Sequence, residues 1–337
     1  MEEQALETGG ENTSVTCSAK RVCAWIGLCL SVLLLLGIGL QLLWALAITG
    51  RGLLPPSLDM WLQTFVPIQL IAMPVAMVLL SLAKGSPPEK RKVSFGWLSG
   101  SFAMAYAVML AGSLIGTVLM TVLTDGKAQN VVVGYALDSG NEALKVLFIV
   151  LLGPFLEEFI FRKLLIDRTR AFGEKNAILF SAFLFGLFHI NPFQFFYAFG
   201  IGLILGYIYV RTGKVLYTWM MHAFINFLGC VVMGGLLRWI RFEEMMKLTS
   251  DPEKLKAFCR QGDVLAGLMA CSAYGLFLAG LVITGVILLI RNRKKWELAP
   301  VAEGAGETAL RRDMLLNAGV VVFYVVTTAL TVWLRFF

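Results

Sequence analysis

Long apolar runs alternate along the chain with short polar connections. Nine such runs occur, and most reach the roughly 20 residues that a helix needs to cross the hydrocarbon core of a bilayer. Their approximate bounds are 22–48, 61–82, 101–123, 144–166, 176–190, 193–210, 215–237, 264–290 and 316–337. The fifth run is short, and Asn191-Pro192 separates it from the sixth, which predicts a tight helical hairpin. The pattern predicts an all-α, polytopic membrane protein with about eight to nine transmembrane helices.

Composition supports the same class. The 337 residues are 58% hydrophobic and 15% charged, with a mean hydropathy of +0.76, which excludes an ordinary soluble domain. The net charge of +7 comes from basic residues in short loops, so no nucleic-acid partner is expected. The six cysteines form no CxxC or other metal-binding spacing. We expect no cleavable signal peptide, since the first apolar run is too long for one.

Lysine and arginine positions predict the orientation. With the N-terminus in the cytoplasm, four groups of basic residues fall on the cytoplasmic side, as the positive-inside rule requires. These groups are Lys84/Lys90/Arg91/Lys92, Arg162/Lys163/Arg168/Arg170/Lys175, Arg211/Lys214 and Arg291/Arg293/Lys294/Lys295. The stretch 238–263 is the exception, and it favours a surface helix. We expect an integral protein of a bacterial plasma membrane, with the endoplasmic reticulum membrane as the alternative.

Ionisable residues interrupt three of the apolar runs. Glu157, Glu158 and Arg162 lie in the fourth run, His189 ends the fifth, and His222 lies in the seventh. Charged groups at membrane depth are costly and mark functional sites by default. At 1.5 Å per residue, His222 is about 12 Å from Lys214 and His189 about 20 Å from Lys175, so both histidines reach similar depths. One shared site is therefore predicted.

Helical spacing predicts which of these side chains share a face of their helix. Glu158 and Arg162 are four residues apart on one face and are expected to pair. Glu157 is rotated about 100° from Glu158 and can face a different space. His222 and Asn226 share a face, as do Phe185 and His189. A carboxylate, two imidazoles and an amide suffice for hydrolysis of an amide bond by activated water.

The spacings E-E-x-x-x-R, F-x-x-x-H and H-x-x-x-N over about 144–228 resemble the three motifs of the CPBP family of CAAX proteases and bacteriocin-processing enzymes. The family contains type II CAAX prenyl endopeptidases, which are glutamate-dependent intramembrane proteases. The resemblance implies that Glu157 activates water with His189, and that His222 and Asn226 form the oxyanion hole. Glu158 is included among the catalytic residues, and Arg162 and Phe185 have supporting roles. No cofactor is implied.

The resemblance divides the chain into four parts. Residues 1–21 form a polar N-terminal segment, 22–140 the N-terminal transmembrane helices, 141–237 the CPBP-like catalytic core, and 238–337 the C-terminal helices with a basic loop. The expected partners are the lipid bilayer and a hydrophobic or lipid-modified peptide or protein substrate. Prenylated CaaX peptides, bacteriocin precursors and other membrane peptides all remain open as substrates.

Three alternatives remain beside this reading. Glu157, His189 and His222 also form the two-histidine, one-carboxylate set of zinc peptidases, although no HExxH helix is present. A proton-coupled transporter places similar residues at mid-membrane. A non-catalytic immunity protein of the same fold is the third alternative.

Overall fold

The helices follow directly from the apolar runs. A computed structural model describes residues 2–127, 134–135, 137, 141–301 and 306–336, and every regular element in these residues is helical. The helices are α1 Glu2–Ala47, α2 Pro56–Ser81, α3 Phe95–Leu123, α4 142–169, α5 Glu174–Phe188, α6 Pro192–Thr212, α7 Val215–Trp239, α8 Phe242–Lys247, α9 Pro252–Cys259, α10 Gly262–Asn292, α11 Glu307–Leu315 and α12 Ala318–Phe336. The all-α prediction is confirmed. The polar segment 1–21 continues into α1, and α8 and α9 account for the predicted surface helix.

Six helices in the described ranges are long and apolar enough to cross a membrane. They become seven if α11 and α12, which meet at a bend of 52°, are taken as one span. The predicted count of eight to nine is not confirmed. The difference arises at α4 and α5, since α4 carries several charged side chains and α5 has only 15 residues. α5 is largely buried, whereas Leu147, Leu151 and Phe155 of α4 are exposed.

One end of the bundle gathers the basic loops. Arg170 donates to the carbonyl oxygen of Ser86, and the backbone N–H of Arg91 donates to that of Thr212. The backbone N–H of Ala299 donates to the Glu174 carboxylate at 2.8 Å. Loops that the sequence assigns to one side of the membrane therefore meet at one end of the molecule. We call the end formed by 84–92, 168–175, 211–214 and 291–299 the basic end.

Glycines set the closest helix contacts. A Cβ on Gly202 of α6 would come within 2.9 Å of Ala182 Cα in α5, so these backbones touch. Gly27 of α1 and Gly319 of α12 meet in the same way. Small residues allow such approaches between membrane helices, where van der Waals packing replaces the hydrophobic driving force. These two contacts bring α5 against α6 and α1 against α12.

Two π-helical segments interrupt α4. They span Val146–Leu152 and Phe159–Ile166, and the α-helical turns Gly153–Glu158 lie between them. A π segment adds a residue to its turn and changes which carbonyl oxygens find an N–H within the helix. The two adjacent glutamates therefore lie on a short regular stretch between two irregular ones.

Candidate active site

Glu158 and Arg162 form a fully buried ion pair on α4. Arg162 Nε lies 3.0 Å from Glu158 Oε2, and Nη2 lies 3.4 Å from Oε1. Both side chains have an exposed fraction of zero. The remaining Arg162 nitrogen donates to Ser181 Oγ at 3.1 Å, and the guanidinium lies 4.9 Å from the ring centre of Phe185. The predicted pair is present, and α5 supplies the other contacts of Arg162.

His222 connects the two glutamates. Its Nδ1 lies 3.1 Å from Glu158 Oε1, and its Nε2 lies 3.8 Å from Glu157 Oε2. A carboxylate only accepts hydrogen bonds, so Nδ1 carries a hydrogen and Nε2 faces Glu157. The helix rotation between adjacent residues places one glutamate on each side of the imidazole.

Glu157 has fewer partners than Glu158. Its side chain is 17% exposed, against zero for Glu158. Among the described residues, the polar atom near the Glu157 carboxylate is His222 Nε2. Its distance of 3.8 Å from Glu157 Oε2 is too long for a hydrogen bond. The oxygen atoms of Glu157 therefore keep their capacity to accept hydrogen bonds from another molecule.

His189 lies just beyond the end of α5. Its Nδ1 is 2.8 Å from the carbonyl oxygen of Phe185, which can only accept, so Nδ1 is the protonated nitrogen and Nε2 keeps a lone pair. The Phe185 ring lies edge-on between the imidazoles, with its centre 4.8 Å from that of His189 and 5.9 Å from that of His222. Within the described ranges, no direct contact joins His189 to Glu157. Phe185 thus holds the two histidines apart.

Asn226 is bound to the backbone of α4. Its Nδ2 donates to the carbonyl oxygen of Ile149 at 2.9 Å. The Gly153 N–H donates to Phe148, and Pro154 has no N–H, so the next turn offers Ile149 no donor. Bilayer interiors contain no water to satisfy such a carbonyl. One amide hydrogen of Asn226 therefore satisfies the Ile149 carbonyl oxygen of the π segment, and the other remains available to a bound molecule.

Gln69 of α2 binds the same segment and was not predicted from sequence. Its Nε2 donates to the Phe148 carbonyl oxygen at 3.1 Å, and its side chain is buried. A Cβ on Gly153 would come within 2.9 Å of this nitrogen, so the glycine leaves room for the amide. The available signal was the presence of two glutamines, Gln63 and Gln69, inside the apolar run 61–82. Side-chain amides from α2 and α7 thus bind adjacent carbonyls of α4.

The described residues contain no group of three or more His, Cys, Asp or Glu side chains arranged to hold a metal ion. A cavity of about 880 Å³ lies elsewhere, lined by parts of α5, α6 and the segment 296–301. Its lining includes none of the predicted site residues. The structure thus brings Glu157, Glu158, Arg162 and His222 together, with Phe185 linking them to His189.

The fold defines the class as a helical integral membrane protein with buried ionisable residues at its centre. Residues 139–228 match the family model described as Type II CAAX prenyl endopeptidase Rce1-like. This segment runs from just before α4 into α7 and contains every predicted site residue, so the resemblance is confirmed there. Comparisons with curated proteins and with solved structures find no match.

Proposed function

We propose that the protein is an intramembrane endopeptidase that hydrolyses hydrophobic or prenylated peptides with water activated by Glu157. The unequal surroundings of the two glutamates carry the proposal. Arg162 and His222 bind the Glu158 carboxylate, whereas Glu157 faces the Nε2 atom of the same imidazole at 3.8 Å. A general base needs a lone pair free to take a proton, and Glu157 meets this requirement.

The hydrolysis balances with residues of this chain. Water attacks the carbonyl carbon of the peptide bond, and its proton passes to Glu157 as the carbonyl electron pair moves to oxygen. His189 orients the water through its Nε2 lone pair. When the carbonyl re-forms, the C–N bond breaks and the proton on Glu157 passes to the leaving amine. Glu158 and Arg162 hold the His222 ring in place.

The oxyanion needs donors beside the attacked carbon. In this proposal the donors are a hydrogen on His222 Nε2, since Nδ1 is bound to Glu158, and the second amide hydrogen of Asn226. The family resemblance implies both residues for this role. Such donors stabilise charge that appears only in the transition state, so each removal is expected to lower the rate by about 10²-fold or more.

The setting limits the substrate class. Membrane helices and the match to a CAAX prenyl endopeptidase family favour a peptide that carries a lipid or is itself hydrophobic. Such a peptide would dissolve in the bilayer and reach the site from it. The basic end is assigned to the cytoplasm because cytoplasmic loops carry the excess of lysine and arginine. A bacterial plasma membrane remains our proposed location, with the endoplasmic reticulum membrane as the alternative.

The test uses the purified full chain in liposomes with a fluorogenic peptide that ends in a prenylated CaaX sequence. We expect the wild type to cleave it and Glu157→Gln to be inactive at unchanged expression, because glutamine keeps the volume and loses the base. The control is Glu243→Gln on α8, an exposed position that should leave the rate unchanged. Absence of cleavage by the wild type, with and without the prenyl group, contradicts the proposal.

A further inference from the structure

Three polar side chains at the start of α6 form a directed chain of hydrogen bonds. Asn191 Nδ2 donates to Gln194 Oε1 at 2.7 Å, and Gln194 Nε2 donates to the Tyr197 hydroxyl oxygen at 2.7 Å. Asn191 Oδ1 accepts a hydrogen bond from the backbone N–H of Phe193 at 3.2 Å and thereby caps the N-terminus of α6. Each amide orientation is thereby fixed, because both amides accept through the oxygen and donate through the nitrogen.

Tyr197 stands at the end of this chain as an acceptor. Its own hydroxyl hydrogen meets no acceptor among the residues that the structure describes. Hydrogen bonds in series polarise one another, so a phenol that accepts from Gln194 becomes a stronger donor. A half-buried O–H group with its oxygen held and its hydrogen available is suited to bind a carbonyl oxygen.

The position of Tyr197 relates it to the candidate site. Its ring packs against two buried clusters, one containing Leu156 and Phe185 and the other containing Met221 and Ile225. These clusters include immediate neighbours of Glu157 and His222 in the sequence. Tyr197 therefore lies on a helix, α6, that packs against both α4 and α7, which carry Glu157 and His222.

The backbone at Tyr197 is held in place from α3. A Cβ on Gly112 would come within 2.6 Å of Tyr197 Cα, so the two helices touch at this point. The phenol is thus fixed by close backbone packing on one side and by Gln194 on the other. A fixed donor costs no reorganisation when charge develops during a reaction.

The donors assigned to the oxyanion are partly occupied by the protein itself. Asn226 gives one amide hydrogen to Ile149, and His222 Nδ1 is bound to Glu158. Oxyanion holes of hydrolases use preorganised donors aimed at the developing charge. Because His222 and Asn226 each already make one hydrogen bond within the protein, a third donor whose hydrogen is not bound would strengthen the oxyanion site.

We propose that the Tyr197 hydroxyl donates a hydrogen bond to the carbonyl oxygen of the peptide bond being cleaved. The inference rests on the proposed endopeptidase function and adds a catalytic residue to it. As water adds to the carbonyl carbon, its proton goes to Glu157 and the electron pair moves onto the oxygen bound by Tyr197. The hydroxyl keeps its hydrogen throughout, and Asn191 and Gln194 are positioning residues.

The test compares Tyr197→Phe with Tyr274→Phe in liposomes containing the full chain. Phenylalanine keeps the ring packing, so Tyr197→Phe should lower kcat by about 10²-fold with little change in KM, as loss of one oxyanion donor does. Tyr274 donates to the Leu228 carbonyl oxygen at 3.0 Å, so its variant loses a structural hydroxyl and should stay within about threefold of wild type.

A second measurement separates catalysis from structure. A peptidyl trifluoromethyl ketone binds as a hydrate that resembles the tetrahedral intermediate. Tyr197→Phe should weaken its inhibition constant by the same factor as kcat/KM, because both report binding of the tetrahedral oxygen. A variant with wild-type kcat overturns the inference and leaves the endopeptidase standing. A reduced rate with an unchanged inhibition constant also overturns it, and an inactive wild type overturns both proposals.

Discussion

Asn226 on α7 donates its side-chain amide to the carbonyl oxygen of Ile149 on α4, 2.9 Å away. The bond exists because Pro154 lacks the N–H that a π-helical turn would offer to Ile149. Asn226 therefore has a structural task beside the proposed oxyanion role. Loss of the structural role should lower stability, whereas loss of the oxyanion role should lower kcat. Substitution of Pro154 can separate the two effects.

Asn226→Ala should lower both stability and activity. Loss of the donor leaves a half-buried carbonyl without its hydrogen bond, and the cost is expected at the lower end of the roughly 1–3 kcal/mol of a fully buried group. In a Pro154→Ala background the restored N–H of residue 154 can donate to the Ile149 carbonyl oxygen, so Asn226→Ala should lower stability less. We expect the double-variant cycle to recover thermal stability and to leave kcat about 10²-fold low. Full recovery of kcat would assign Asn226 a structural role alone.

Glu158→Gln should act first on stability. It leaves Arg162 buried without its carboxylate, and breaking such a pair costs about 3–5 kcal/mol. The double variant Glu158→Gln with Arg162→Met should melt at a higher temperature than Glu158→Gln alone, since no uncompensated charge remains. Melting curves in detergent provide the measurement. Equal melting temperatures for Glu158→Gln and Glu157→Gln would mean that the division of labour between the glutamates is wrong.

Removal of metal ions tests the zinc alternative. We expect the purified protein to keep its proposed peptidase activity after treatment with a chelator and to contain less than one zinc per chain by elemental analysis. The reason is that the proposed mechanism assigns the base to Glu157 and requires no metal ion. Loss of activity with the chelator and its return with zinc would make Glu157, His189 and His222 metal ligands. Asn226 would then act by orienting a ligand.

The contact between α1 and α12 can be tested away from the site. Gly319 lies against the backbone of α1, so Gly319→Leu should lower stability by about 1–3 kcal/mol through overpacking. Gly280 of α10 has open space around its Cβ position and provides the control. Gly280→Leu should leave the melting temperature unchanged or raise it. A similar loss in both variants would show that helix-wide effects, and not this contact, determine the result.

Several features could be predicted from the sequence because they depend on local periodicity. The apolar runs define the helices, since a chain in lipid must satisfy its backbone hydrogen bonds internally. The Glu158–Arg162 pair follows from four-residue spacing on one helix. The grouping of the basic loops follows from the alternating direction of successive helices. The predicted count of eight to nine spans exceeds the six or seven found in the described residues, because α4 carries several charged side chains and α5 has only 15 residues.

The relations between helices required the tertiary structure. That His222 reaches both glutamates, that Asn226 turns to Ile149, and that Gln69 binds beside it all depend on how each helix is rotated about its axis. Two π segments change the phase of α4, and glycine contacts set how closely its neighbours approach. Neither effect appears in a residue spacing. The sequence by itself determined which groups enter the membrane, and helix packing decided which of them meet, because packing acts between residues far apart in the chain.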